Sequence, residues 1–306
     1  MYRQGEIMMN NELTNQNNNL DFIKLKEDFI SYIDVSDLTL KSYNDGLKSF
    51  FAYIVSKGIK NPVRDDIKAY RDELYQTKSS NTVNSYLCSL RVFFNYLESR
   101  GIYSNITKDI KNIKTSKIPK KQVLSIEECK NIYNSLTDNR EKLIFSLAVT
   151  TGLRATEIAN AKIDNIKKLN GEYVLYVKCK KRDDESEYVK LSNGVLKDII
   201  EYIDNRNSGY IFISTSHNSY GKGLTTTSIR NIVKSIFRRF GYDDDGFSCH
   251  SIRRSSATIM YENGQSIYDI QQVLHHRSIS TTQRYINQAV RDNNKSEQIV
   301  SELLFS

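Results

Sequence analysis

One stretch in the N-terminal third recurs at a constant offset of 43 residues, and this duplication restricts the fold more than any other feature of the chain. Ser36-x-x-Thr39-x-x-Ser42-Tyr43-x-x-x-Leu47-Lys48-x-Phe50-Phe51-x-Tyr53 returns as Ser79-x-x-Thr82-x-x-Ser85-Tyr86-x-x-x-Leu90-Arg91-x-Phe93-Phe94-x-Tyr96. Both copies close on Ser-(Lys/Arg)-Gly-Ile, at residues 56–59 and 99–102. The apolar positions follow helical spacing. Ser36 and Ser79 suit helix N-caps, and Gly58 and Gly101 suit the left-handed residue just past a helix end. The pattern predicts two alike amphipathic helices which, with further helices at about 20–34 and 64–76, make one small bundle. The aromatic stripe belongs to its core. The polar starts of the two helices, with Thr39, Lys41 and Ser42 in one and Asn81, Thr82, Asn84 and Ser85 in the other, offer small donors and a cation where phosphate is well received.

The chain has 306 residues, long enough for two domains, and its 39% hydrophobic and 26% charged residues describe a globular protein rather than a disordered one. A formal net charge of +8 and a pI near 9.1 favour a polyanionic partner. No apolar run approaches the ~20 residues needed to span a bilayer. The Asn-rich stretch 1–19 lacks the apolar centre of a signal peptide and reads as a disordered tail, so a cytoplasmic location is expected. Cys88, Cys129, Cys179 and Cys249 are scattered, without the paired spacing of a metal site; reduced thiols and no metal are expected. From Thr107 the sequence turns lysine-periodic, through Lys108, Lys111, Lys114, Lys117, Lys120 and Lys121, with Pro119 as a breaker. This is an interdomain linker.

Beyond it, Ser125 and Glu128 form a capping box at the head of a helix. A buried helix is expected at about 140–151, ending at Gly152. Alternation predicts strands at 172–178 and 187–191, with a third, short one at 210–214. Helices are expected at about 193–206, 226–240, 250–263, 266–274 and 280–288. The fold class is mainly α with a small antiparallel sheet. Within this frame, His250-x-x-Arg253 puts a proton carrier and a permanent cation one helical turn apart, able to hold one phosphate. Downstream, Tyr285 can attack a phosphate, with Ser280-x-x-Gln283 capping its helix. Upstream, Thr151-Gly152-Leu153-Arg154 supplies a second arginine, and the strand-like Tyr173–Lys180 run supplies a lysine. The acidic runs Asp183–Glu185 and Asp243–Asp245 fall in predicted loops and read as solvated turns.

In this order the residues resemble those of the tyrosine recombinase (phage integrase) family, and most of all its compact two-domain Xer-like members. The resemblance implies a helical core-binding (SAM-like) domain at 20–112, a basic linker at 113–121 and a mixed α/β catalytic domain at 122–306. It implies a catalytic set of Arg154, Lys180, His250, Arg253, His276 and Tyr285, with Glu157 orienting an arginine or a histidine. Arg154 and Arg253 would neutralise non-bridging oxygens, the task Mg²⁺ performs in other phosphoryl transfers. Tyr285 would form a 3′-phosphotyrosine, Lys180 would protonate the leaving 5′ oxygen, His250 would accept the tyrosine proton or donate to a phosphate oxygen, and His276 would bond a non-bridging oxygen. DNA contacts are expected from the two helix starts, from Arg91 and Arg254, and from Lys114 and Lys117 in the linker.

The implied activity is metal- and cofactor-independent cutting and rejoining of double-stranded DNA sites through a Holliday junction. The implied assembly is a homo-tetramer on DNA in which the amphipathic segment 295–305 docks into a neighbouring subunit. A type IB topoisomerase-like relaxation or a lapsed DNA-binding accessory protein are the alternatives; the duplicated helices weigh against the first and the intact set of six against the second. The sequence departs from the family pattern at Cys179 and Lys181, where glycines usually flank the lysine, at Arg254, where many relatives have His, and at His275, where Gly is usual. These departures tilt the reading toward a mobile-element integrase.

Overall fold

The computed structural model describes residues 21–115, 122–178, 187–242, 246–292, 294 and 296–305. Lys117, Lys180 with its neighbours Cys179 and Lys181, both acidic runs and residues 1–19 lie outside the described residues. Tertiary contacts divide the chain into two compact units, Met1–Lys117 and Ile118–Ser306.

The first unit contains α1 (Phe22–Tyr32), α2 (Asp37–Ser56), α3 (Arg64–Thr77) and α4 (Ser80–Ser99). The repeat becomes α2 and α4, each entered from a serine in extended conformation, Ser36 or Ser79, and each followed by a glycine with positive φ, Gly58 (67°) or Gly101 (66°). The two copies pack on one another about a local pseudo-twofold. Phe50 meets Phe94 edge-on at 6.2 Å, and the equivalent pair, Phe93 with Phe51, meets edge-on at 5.7 Å. Such pairs are favourable beyond their buried area. The crossing lies where the repeat is small: the Ser42 and Ser85 hydroxyls are 3.3 Å apart, and Gly46 faces its repeat mate Ser89. Buried Ser89 donates to the carbonyl of Ser85 (3.2 Å). The aromatic stripe is therefore core.

The first part of the lysine-periodic segment is bound to this bundle. Arg64 donates to the Lys108 carbonyl (3.3 Å), Arg91 to Ile110 (2.7 Å) and Arg71 to Lys111 (3.1 Å). Asn84 holds both the N–H and the carbonyl of Ile113, each at 2.9 Å. Ile110 itself is buried.

The second unit is arranged around α6 (Asn139–Thr151), whose Leu143, Ile144, Phe145 and Leu147 are all buried. Before it, α5 (Ile126–Ser135) opens with the reciprocal Ser125–Glu128 box. After it come the short helix α7 (Ala155–Ala159) and a three-stranded antiparallel sheet, β1 (Ile166–Leu169), β2 (Glu172–Val177) and β3 (Glu187–Lys190), in the order β1-β2-β3. The expected strand at 210–214 is absent; Tyr210 and Ile213 make only isolated bridges, to Lys162 and Gly223. The third strand is β1, joined to β2 by Asn170-Gly171 with φ of 49° and 86°. A two-residue Asn-Gly turn with both φ positive matches strand twist.

Helices α8 (Asn193–Ile203), α9 (Thr226–Arg239), α10 (Cys249–Glu262), α11 (Ile267–Val273), α12 (Ile279–Asp292) and α13 (Ser296–Phe305) complete the unit. Among the described residues no helix is long and apolar enough to cross a membrane.

A β-carbon at position 46 would meet Ser89 Oγ at 2.6 Å and Ser89 Cβ at 2.8 Å. Gly46→Ala is expected to destabilise the first unit by about 1–3 kcal/mol through overpacking. Adding Ser89→Gly should recover part of the loss, as read by urea denaturation of the full chain.

Candidate active site

The site begins with a turn. Gly152 ends α6 at φ 63°, and a β-carbon there would lie 2.3 Å from Leu274 and 3.3 Å from Ser256 Oγ. Glycine satisfies both the left-handed backbone and the close approach. The turn delivers Arg154 to the N-cap of α7, three residues before Glu157. Glu157 Oε2 accepts from the Arg154 backbone N–H (2.7 Å), and Oε1 accepts from Arg154 Nη1 (2.6 Å). The same carboxylate, 2% exposed, lies 3.8 Å from Arg253 Nη1.

Arg253 is 1% exposed, with its guanidinium donating to the carbonyls of Gly152 (2.6 Å) and Leu274. Burial, with the like charge of Arg154 behind it, pushes its pKa down to about 10, while Glu157 and Tyr285 oppose the shift. It remains charged at neutral pH. His250 lies in the exposed first turn of α10, one turn from Arg253.

His276 and His275 face different ways. His276 is buried, with Nδ1 2.9 Å from Thr282 Oγ1 and Nε2 buried without a hydrogen-bond partner. Its ring meets Tyr285 edge-on at 5.1 Å, and Tyr285 lies within electrostatic reach of the Arg253 guanidinium. Burial first, then the charges of Arg253 and Arg154, push the His276 pKa down to about 3, so the imidazole is neutral. His275, by contrast, has φ 48° and reaches from the end of α11 to β3, with Nε2 3.1 Å from the Tyr188 carbonyl. Since a carbonyl only accepts, that nitrogen carries the proton. The Gln271 amide donates to the His276 carbonyl (2.9 Å), fixing the backbone between the two rings. A cavity of about 750 Å³ opens beside them, lined among others by Thr151, Tyr188, His275, His276 and Arg277.

The structure thus brings together Arg154, Glu157, Arg253, His276 and Tyr285, with His250 at the head of α10. Arg254 differs from expectation. Rather than facing outward toward DNA it is 8% exposed, and its Nε donates to the Tyr285 carbonyl (3.1 Å), because one step along α10 turns it from the Arg253 side toward α12. Asn84 and Arg91 are engaged with the 110–113 backbone. Thr39 and Thr82 pair with the capping serines Ser36 and Ser79, each at 3.0 Å, and Ser42 pairs with Ser85. Lys41, Asn81 and Lys114 are exposed. Helix α12 starts at Ile279, so Ser280 lies in its first turn and pairs with Ser278 (2.8 Å) rather than capping it. Sequence reasoning missed Thr282 and Gln271, whose partners become visible only once α11 and α12 are folded together.

The Phage integrase family profile matches residues 118–291, and the Phage integrase N-terminal SAM-like domain profile matches residues 25–101. The chain belongs to the phage integrase family. Tyrosine recombinase XerA of Pyrococcus horikoshii is 32% identical over 177 residues, 56% of this chain and 60% of that protein. Tyrosine recombinase XerD of Listeria monocytogenes is 28% identical over 287 residues, 85% of this chain and 93% of that one. The chain thus spans about three fifths of XerA. Among solved structures, a XerH recombinase in a post-cleavage complex with its palindromic difH substrate superposes with a TM-score of 0.69 at 21% identity, covering 85% of this chain and 80% of that one. At that identity the likeness concerns the fold: a helical SAM-like unit followed by a catalytic unit with a small antiparallel sheet.

Two outcomes are expected. Glu157→Gln leaves the buried Arg253 and the partly buried Arg154 guanidinia without their shared counter-charge, and should cost on the order of 3 kcal/mol by chemical denaturation. The second concerns pH. An unfolded His276 takes up its proton near the ordinary value of 6.5, whereas the folded ring resists until about 3. The unfolded chain therefore binds more protons between those values, and folding stability falls as pH drops through that window. His275, also shifted downward by burial, adds to the same trend. The melting temperature of His276→Gln should fall less steeply between pH 6.5 and 4 than that of the unsubstituted protein.

Proposed function

We propose that this chain is a site-specific DNA recombinase that cuts and rejoins strands through a covalent 3′-phosphotyrosine. The observation that carries the reading is the meeting of a candidate nucleophile with an excess of fixed positive charge: Tyr285 packs against His276 within electrostatic reach of Arg253, one of two guanidinia that share one carboxylate. Family membership adds weight, and the duplicated helical first unit favours strand exchange over relaxation.

In this reading Arg154 and Arg253 bind the non-bridging oxygens of the scissile phosphate and stabilise the charge that develops on them. The Tyr285 oxygen attacks phosphorus, its proton passing to His250. The bond to the 5′ oxygen breaks, and that oxygen takes a proton from Lys180. The phosphotyrosine conserves the bond energy, so a 5′-hydroxyl from a second strand reverses the step and seals the exchanged strand. Neutral His276, accepting from the Thr282 hydroxyl at Nδ1, presents an N–H at Nε2 to a phosphate oxygen without adding charge. Among the described residues, Lys41, Asn81, Ser85 and Lys114 are the sequence-predicted DNA contacts that are exposed. Assembly into a homo-tetramer on DNA accords with α13, whose Ile299, Val300, Leu303, Leu304 and Phe305 are 54–82% exposed.

The test uses a pool of nicked duplexes with randomised arms, incubated in EDTA, with covalent protein–DNA complexes captured and sequenced. The unsubstituted protein should yield an enriched site and a complex; Tyr285→Phe should yield none, and Arg253→Lys should cleave about 10²-fold more slowly. A complex that persists in Tyr285→Phe, or cleavage that requires Mg²⁺, would rule the mechanism out.

A further inference from the structure

Arg254 follows the buried Arg253 on α10, and about 100° of helical rotation separates the two side chains. One turns to the Gly152 and Leu274 carbonyls, the other to α12. Between α10 and α12 the packing is apolar: Ala257 and Ile286 are fully buried in a satellite cluster with Ile270 and Leu274, against which Tyr285 rests. Contacts of that kind hold two helices together but permit sliding and rotation. Polar links do not. Among the described residues of α12, two such links lie one turn apart: the Thr282 hydroxyl on His276 Nδ1, and the Tyr285 carbonyl on Arg254 Nε. The second falls on the backbone of the residue whose ring packs on His276, within electrostatic reach of Arg253.

We infer that Arg254 is a positioning residue for the nucleophile: by holding the Tyr285 carbonyl it fixes the axial height and rotation of α12, so that the phenol comes to the phosphate held by Arg253. The inference rests on the reading of Tyr285 as the attacking residue. The pairing suits the task. A charged N–H to a carbonyl is stronger than a neutral bond. Because Arg253 and Arg254 share one rigid helix, phosphate grip and nucleophile are referenced to the same element. In this role the effect of Arg254 runs through the Tyr285 backbone.

Single-turnover cleavage of the nicked-duplex site enriched by the unsubstituted protein separates the possibilities, using Arg254→Met, which keeps length and loses the donor, and Arg254→Lys, which keeps a charged donor. Arg254→Met is expected to slow covalent-complex formation at saturating enzyme by about 10–100-fold, the scale of a misplaced reacting group. Its affinity for the same duplex should stay within about threefold and its melting temperature close to that of the parent; Arg254→Lys should recover at least part of the rate. Cleavage by Arg254→Met at the parental rate overturns the inference, as does a loss of affinity or thermal stability that parallels the loss of rate, since either assigns Arg254 a different role. Failure of the unsubstituted protein to form any covalent complex instead removes the recombinase reading beneath it.

Discussion

A single buried carboxylate organises the catalytic unit. Glu157 accepts from both the backbone and the guanidinium of Arg154 and lies against Arg253, so two cations, one buried and one partly open to solvent, converge on one buried anion. Two guanidinia with one counter-charge leave a surplus of about one positive charge. The surplus costs stability while the site is empty, because burial keeps water from the Arg253 guanidinium. A phosphate diester carries the one negative charge that would balance it. The neutral His276 fits the same logic: a third cation here would deepen the imbalance, and Arg253 and Arg154 themselves hold its pKa down.

That arrangement explains residues with no chemistry of their own. Gly152 must be glycine because its carbonyl receives Arg253 while its α-carbon lies against Leu274, and Leu274 offers its carbonyl to the same guanidinium. Three segments distant in sequence, the end of α6, the middle of α10 and the end of α11, are thereby tied to one side chain. An arginine so bound loses little freedom on meeting a phosphate, and such preorganisation makes electrostatic stabilisation effective.

Much of this was legible in the sequence, for reasons that also mark its limits. The duplicated helices, their serine caps and their terminal glycines depend on contacts within a few residues, so periodicity located them closely. Arg154, Arg253 and Tyr285 were singled out by motif order. The strand β1 was missed, although Asn170-Gly171 carried a hairpin signal, because Ile166-Lys-Lys-Leu169 is too short to alternate clearly. Asn84, Arg91 and Arg254 were read as DNA contacts and instead bind backbone carbonyls 19 to 31 residues away. A long polar side chain at a helix face gives no sign of whether its partner is a phosphate or a carbonyl of its own chain. Only the fold decides, and in the first unit it assigns three arginines and an asparagine to the lysine-periodic segment.

His275 shows how a locally unfavourable residue is retained by a distant contact. Its φ of 48° is a conformation that glycine adopts without penalty and a branched or bulky side chain resists. The imidazole offsets that strain by crossing to β3, where it donates to the Tyr188 carbonyl and lies 3.9 Å from the Glu187 carboxylate. A glycine here would relax the backbone but leave β3 without that tie to the end of α11. The tie matters because the next residue is His276, whose unpaired Nε2 is useful only if its ring cannot swing. Its backbone is held by Gln271 on one side and by the anchored His275 on the other, and its ring by Thr282. The strain at 275 and the fixed ring at 276 are two consequences of the same turn.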